Sequence, residues 1–239
     1  DVITQDLLND VNNTLPEGET LMESHPEYLL PEWDYNIRLL EDCDVWITFV
    51  HEGAGYKNVL GFYTYPTDEV PQTPSDIDEI TIIYPNVSYA GSGGGLYSGN
   101  KVYIGQFTAG NTISFALMAD GWKNNIGVTD GRWIVYSNPH LNPESDPNLR
   151  QHTVLLNDNG RNLLLLGIEV IRRDASNCDH DFNDAIFYVT ANPIEAIDQS
   201  QFPNIEYVGQ DTDEDGVPDN VDTYPNDPNK AFDNFFFNQ

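Results

Sequence analysis

Apolar and polar residues alternate with a period of two in several short runs of this chain. Between residues 45 and 50, Val45, Ile47 and Phe49 fall on one side and Trp46, Thr48 and Val50 on the other. That is the repeat of a β-strand, here with both faces partly apolar. Comparable runs occupy residues 36–40, 44–50, 59–65, 79–84, 101–107, 112–119, 132–136, 152–157, 162–171 and 185–190. Gly, Asn, Pro and Asp punctuate them at 91–95, 110–111, 124–127 and 157–160. About ten short strands with no helical pattern between them predict an all-β sandwich of jelly-roll type over residues 36–191. Helical spacing appears before it, at Ile3, Leu7, Leu8, Val11 and Leu15, and Pro16 and Gly18 end the stripe. Residues 1–35 therefore read as a short helix and an irregular lead-in, expected to pack on the domain; a connector to something upstream is the alternative. Beyond Ala191 the composition shifts. Residues 192–210 read as a linker, 211–231 are dominated by Asp, Asn and Pro, and residues 233–239 form an aromatic tail.

Charge narrows the function. The chain of 239 residues has 39 acids against 10 bases, a formal net charge of −29. Nucleic acid needs a basic footprint, and anionic membrane surfaces attract bases, so both partners are disfavoured. No run of 18 apolar residues suggests membrane insertion. No secretory leader is recognisable, so Asp1 reads as the start of a mature chain. Cys43 and Cys178 both flank acid-rich turns, and a disulfide between them is expected, with two separate thiols as the alternative. Together with the motifs below, this points to an oxidising, calcium-rich exterior.

The sharpest motif is Asp211-x-Asp213-x-Asp215-Gly216-x-x-Asp219-x-x-Asp222. A calcium loop of EF-hand spacing needs oxygens at positions 1, 3 and 5, glycine at 6, a backbone carbonyl at 7 and an acid at 12. Asp211, Asp213, Asp215, Gly216, Val217 and Asp222 fill those places, while Pro218 and Pro225 exclude flanking helices. Asp219 and Asp227 could serve this Ca2+ or a neighbouring one. The continuation Asp222-Thr223-Tyr224-Pro225-Asn226-Asp227-Pro228 resembles a thrombospondin type 3 repeat, which implies an acid-rich calcium spacer.

A second acidic turn, Asp179-His180-Asp181-Phe182-Asn183-Asp184, lies just before a strand, with Glu169 upstream. Asp179, Asp181, Asn183, Asp184 and Glu169 could hold a structural calcium; turn-capping by the same side chains is the plainer reading. His51-Glu52-Gly53-Ala54-Gly55 begins like a zinc-protease motif but lacks the second histidine. It fits a glycine-rich turn that displays Glu52, Tyr56 and Asn58.

The run from Val45 to Asn58, continued by Leu60-Gly61-Phe62-Tyr63, resembles the start of an uncharacterised β-sandwich domain in bacterial surface proteins of the LruC type. Gly167-Ile168-Glu169, paired with the turn 179–184, resembles the end of that domain. His25-Pro26-Glu27-Tyr28-Leu29 and the Asp-rich repeat resemble the same architecture. The resemblance implies a secreted or cell-surface protein with calcium-assisted folding and an adhesive role. One departure is Val170, where the family commonly places a second acid after the glutamate.

Catalytic signatures are absent from the sequence. Ala90 spoils a nucleophile elbow at Gly91-Ser92-Gly93, and no phosphate loop or dinucleotide fingerprint occurs. A polysaccharide-active enzyme would need a facing carboxylate pair, and nothing singles one out. The expectation is a binding module for a glycan or peptide, with Glu52, Tyr56, Asn58, Tyr97 and Trp122 as contact residues. The loops 88–98 and 120–131 would form its rim. A structural subunit, assembling through the first helix or the aromatic tail, is the alternative.

Overall fold

Val45, Ile47 and Phe49 are fully buried on one face of β2 (Cys43–Glu52), and this strand anchors one of two facing sheets. The structure is a computed structural model and describes residues 1–53, 55–209, 211–213, 215–219 and 221–233. The remaining strands are β1 (Ile37–Arg38), β3 (Asn58–Pro66), β4 (Thr81–Val87), β5 (Lys101–Phe107) and β6 (Asn111–Met118). They continue with β7 (Trp122–Lys123), β8 (Gly127–Val128), β9 (Ile134–Tyr136), β10 (Thr153–Asp158), β11 (Leu163–Ile168) and β12 (Ala185–Asn192). One antiparallel sheet has the order β10-β11-β12-β2-β5. The other runs β1-β6-β3-β4, with β9 also paired to β6. The main core fills the space between them: Ile47, Phe49, Leu166, Phe187 and Val189 from one sheet meet Leu60, Ile113, Phe115 and Leu117 from the other.

The outer face of the first sheet is apolar too, which explains the near-continuous leucines of β11. Leu163, Leu165, Val154, Leu156 and Ile186 are covered by helix α1 (Gln5–Thr14) through Leu7 and Val11, and by Leu15, Tyr28 and Ile205. Thr4 caps α1 by accepting the Leu7 N–H at 3.2 Å, and Pro16 cannot continue it. Each fully buried apolar side chain here stabilises by about 1.5–3 kcal/mol. The stripe therefore packs on the domain as expected.

Two expectations change. Residues 192–210 are not a free linker through most of their length. Ala196, Ile197 and Phe202 enter the main core, and Ile205 enters the outer cluster. Leu40 N–H donates to Ala196 O at 2.7 Å, Asn157 N–H to Pro203 O at 2.7 Å and Ile205 N–H to Asn157 O at 3.0 Å. The segment is a strap, bound by apolar residues too irregularly spaced to read as an element.

The predicted disulfide does not form: Cys43 and Cys178 are both free thiols. Cys43 opens β2, pairing with Phe107, whereas Cys178 lies in the β11–β12 connection, which meets β2 at its other end, where Glu52 pairs with Ala185. Nine strand steps separate those ends, roughly 30 Å. A disulfide needs Cα atoms within about 7 Å. The predicted aromatic tail lies, from residue 234 onward, outside the described residues.

Candidate metal centres

The Asp-rich loop rests against the sandwich, with Val221 beside Gly160 in the β10–β11 turn. Carboxylate oxygens of Asp211, Asp213 and Asp215 all lie within 4.8 Å of one another, so the cluster could hold a metal ion. The loop is shaped by its own carboxylates. Asp211 Oδ2 accepts the Gly216 N–H at 2.9 Å, Asp213 Oδ1 the Asp215 N–H at 3.3 Å and Asp215 Oδ1 the Val217 N–H at 2.9 Å. Gly216 stands at φ +95, a left-handed conformation that suits glycine alone at this turn. Asp213 Oδ2 and Asp222 Oδ2 are buried and meet no hydrogen-bond donor. Partial burial, then the charges of Asp215, Asp222 and Asp211, push the Asp213 carboxyl above its ordinary range despite the Asp215 N–H. A cation among these oxygens would relieve that repulsion.

The other residues predicted for this loop separate by role. Asp219 accepts the Thr212 N–H at 2.8 Å and hydroxyl at 2.6 Å, so both its oxygens brace the loop. Asp227 accepts the Asn229 N–H at 3.3 Å and belongs to the following turn rather than to the cluster. Asp222, nine-tenths buried, spends Oδ1 on the Tyr224 N–H at 2.7 Å.

The turn 179–184 is a clamp on the lead-in segment. Asp181 Oδ2 accepts the Gly18 N–H at 2.9 Å, and Asn183 Nδ2 donates to Leu15 O at 3.3 Å. Thr20 hydroxyl donates to Asp179 O at 3.0 Å, and Leu21 N–H to His180 O at 2.9 Å. Asp184 Oδ2 accepts the Val170 N–H at 2.7 Å. So Asp181, Asn183 and Asp184, expected as ligands, spend side-chain atoms on backbone groups, and Phe182 is wholly buried beneath them. What does gather is Glu169, Cys178 and Asp179, whose ligand atoms lie within 4.8 Å of one another. Glu169 has no exposure; Oε1 accepts the Ile171 N–H at 3.0 Å and Oε2 meets no donor. Burial first, then Asp184, Asp179 and Asp181, push its carboxyl up to about 9. Burial also raises Asp181 to about 6, above its ordinary carboxylate range.

The expected ligand-contact residues are only partly exposed. Asn58 is fully buried, with Oδ1 accepting the Asp120 N–H at 3.0 Å, and Glu52 is buried beside Asp184. Both point inward because β2 and β3 continue through positions read as a displayed turn. Tyr97 is 65% exposed. Tyr56 is half-buried under the Arg132 guanidinium, 4.8 Å from its ring centroid. Trp122 lines an open pocket of about 380 Å³ with Lys57, Asp120, Lys123 and Asn124. Lys57 joins the two predicted rim loops. Its ammonium donates to Asn124 Oδ1 at 3.0 Å, and its stem lies so close to Gly93 that a Cβ there would meet Cε at 2.7 Å. The β7–β8 hairpin carries Trp122, in a stretch expected to be loop.

Sequence reasoning missed two buried ionic networks. Arg161 bridges Asp10 of α1 and Asp158 of β10, and His152 contacts Glu144 at 3.2 Å with both side chains fully buried. Their partners lie far apart in sequence or carry no recognised spacing. It also missed Cys178 as a neighbour of Glu169; adjacency to Asp179 was the one available sign.

Residues 107–192 match a family model described as a Domain of unknown function (DUF4114). That span runs from the last residue of β5 through β12 and holds the acidic turn but not the 211–222 loop. No curated protein and no solved structure matches the chain.

Proposed function

We propose that this chain is a secreted, calcium-binding β-sandwich module that acts in adhesion or ligand binding at a bacterial surface. One observation carries the calcium part. Asp211, Asp213 and Asp215 converge at the spacing of a calcium loop, with the buried, unpartnered Oδ2 of Asp222 in the same loop. An all-oxygen, all-acid donor set suits a hard cation such as Ca2+. The likeness of residues 222–228 to a thrombospondin type 3 repeat supports the same ion, and the LruC-type likeness supports the extracellular setting. We read the sandwich as a jelly-roll variant, since the chain passes repeatedly between the two sheets. The ligand would be a glycan or peptide held by the rim around Trp122, Lys57 and Tyr97, and chemistry on it is not part of the reading.

Calorimetric titration of the chelated protein should show Ca2+ binding and a higher melting temperature. Asp213→Ala with Asp215→Ala should remove one bound ion and leave the sandwich folded. A melt unmoved by calcium, with no heat of binding, rejects the calcium reading. Glycan and peptide arrays with and without calcium address the ligand. Turnover of a polysaccharide would instead indicate an enzyme, and ordered self-association without ligand a structural subunit.

A further inference from the structure

We infer that the β11–β12 connection carries a second metal site of different chemistry: Glu169, Cys178 and Asp179 bind a divalent transition ion of zinc's class. The inference does not rest on the calcium loop. Three donor atoms, one sulfur and two carboxylate oxygens, lie within 4.8 Å of one another. Ligands held at zinc's usual bond lengths stand roughly 3.3–3.8 Å apart, so a small inward adjustment closes the set.

The independent sign of a missing ligand is Glu169 itself. Its side chain has no exposure, and Oε2 meets no donor although the residue's other oxygen is bonded. Leaving such an oxygen unmet costs about 1–3 kcal/mol, more if it is charged. Cys178 Sγ is also weakly engaged, 3.9 Å from Ile171 O and 3.6 Å from His180 Nδ1. It and the Asp184 carboxyl lie close enough to Glu169 for a loose side-chain contact, which gives Oε2 no well-formed hydrogen bond. Asp179 is the exposed member and gives an ion its way in from solvent.

The surrounding turn fixes this geometry. Asp181 and Asp184 are tied to the Gly18 and Val170 N–H groups, which sets where Asp179 and Glu169 stand. Arg173 Nε donates to His180 Nδ1 at 3.2 Å, which occupies that ring nitrogen and leaves His180 Nδ1 outside the ligand set. Water would complete the coordination.

The sulfur decides the class of ion. Calcium takes oxygen ligands, whereas thiolate selects zinc and its softer neighbours. On binding, a metal–sulfur bond replaces the S–H bond and a metal–oxygen bond replaces the O–H bond of the buried Glu169 carboxyl; both protons pass to solvent, with no redox change.

Cobalt(II) reports on this directly, because a thiolate ligand gives a charge-transfer band in the near ultraviolet. The full chain, saturated with calcium, should develop that band at one equivalent of cobalt, and zinc should bleach it. The band should disappear in Cys178→Ser and persist in both Cys43→Ser and the Asp213→Ala, Asp215→Ala double variant. Asp179→Asn should weaken cobalt binding at least about tenfold. Absence of the band in the wild-type protein, its survival in Cys178→Ser, or unchanged affinity in Asp179→Asn overturns the site. Its loss on altering residues 213 and 215 would assign the cobalt to the other loop and overturn it equally. Asp179 is exposed, so the variant's fold can be confirmed by its melting temperature alone.

Discussion

Glu144 and His152 illustrate what single buried residues contribute here. His152 Nδ1 donates to Glu169 O at 2.8 Å and Nε2 lies 3.2 Å from Glu144 Oε1, with Arg172 Nε at 3.7 Å from the same oxygen. Burial pushes the Glu144 carboxyl up, but hydrogen bonding and charge from His152, its own backbone N–H and Arg172 outweigh it and leave it below its usual 4.5. The unfolded chain then binds more protons in the window just below 4.5, so stability rises with pH there. It is lost as pH falls through the folded value. Glu144→Gln should flatten this part of the acid limb and cost about 1–3 kcal/mol, by taking a charged hydrogen-bond partner from the fully buried His152. Thermal melts from about pH 3 to 7 check this, and an unchanged acid slope in the variant would refute it. Nothing in the spacing of residues 144 and 152 announces the pair. They meet because the connection between β9 and β10 folds back over the start of β10.

At the scale of elements, α1 covers the outer face of the β10-β11-β12-β2 sheet, where the strap joins it through Ile205, while the strap's Ala196, Ile197 and Phe202 close the main core. Leu7→Ala should therefore behave as a core truncation and cost about 2–4 kcal/mol, visible as a lower urea midpoint. A loss within a few tenths of a kcal/mol would mean that the helix is dispensable to the fold. The helix was legible because Leu7, Val11 and Leu15 repeat at helical spacing, and the strands because β2 alternates so cleanly. The run at residues 162–171 read as a strand, but what covers its outer face did not. The strap was not legible. Ile194, Ala196, Ile197, Phe202 and Ile205 follow neither period, and their burial depends on grooves that exist only after the sheets have formed. The clamp at 179–184 was half legible. Its carboxylates are plain in the sequence, but whether each faces an ion or a backbone N–H depends on the lead-in segment some 160 residues away.

For the whole molecule, a net charge of −29 means that folding gathers like charges, and bound divalent cations offset part of that repulsion. Chelation should accordingly speed amide exchange first in residues 211–231 and the adjoining strap, and leave β2 and β12 protected. Exchange measured with and without calcium tests the order, and uniform deprotection of the sheets would show that the ion supports the entire fold. The sandwich as a class was readable from strand count and turn chemistry. The packing of one flank, the first helix, was readable too, whereas the other, residues 192–210, reads as a linker yet belongs through most of its length to the packed body.

The seam between those flanks has a mechanical meaning. Glu206 N–H donates to Thr14 Oγ1 at 3.1 Å, that hydroxyl donates to Glu206 O at 3.3 Å, and Val208 N–H reaches Asp10 Oδ1 at 2.7 Å. It fastens helix α1 directly to the strap, while Asp1, ahead of the helix, is held by Gly99 O and by Lys101 and Tyr188 of the strands. A pull that separates residues 10–14 from residues 206–208 would therefore load three hydrogen bonds arranged side by side, which must part together before the helix leaves the outer face of the sheet.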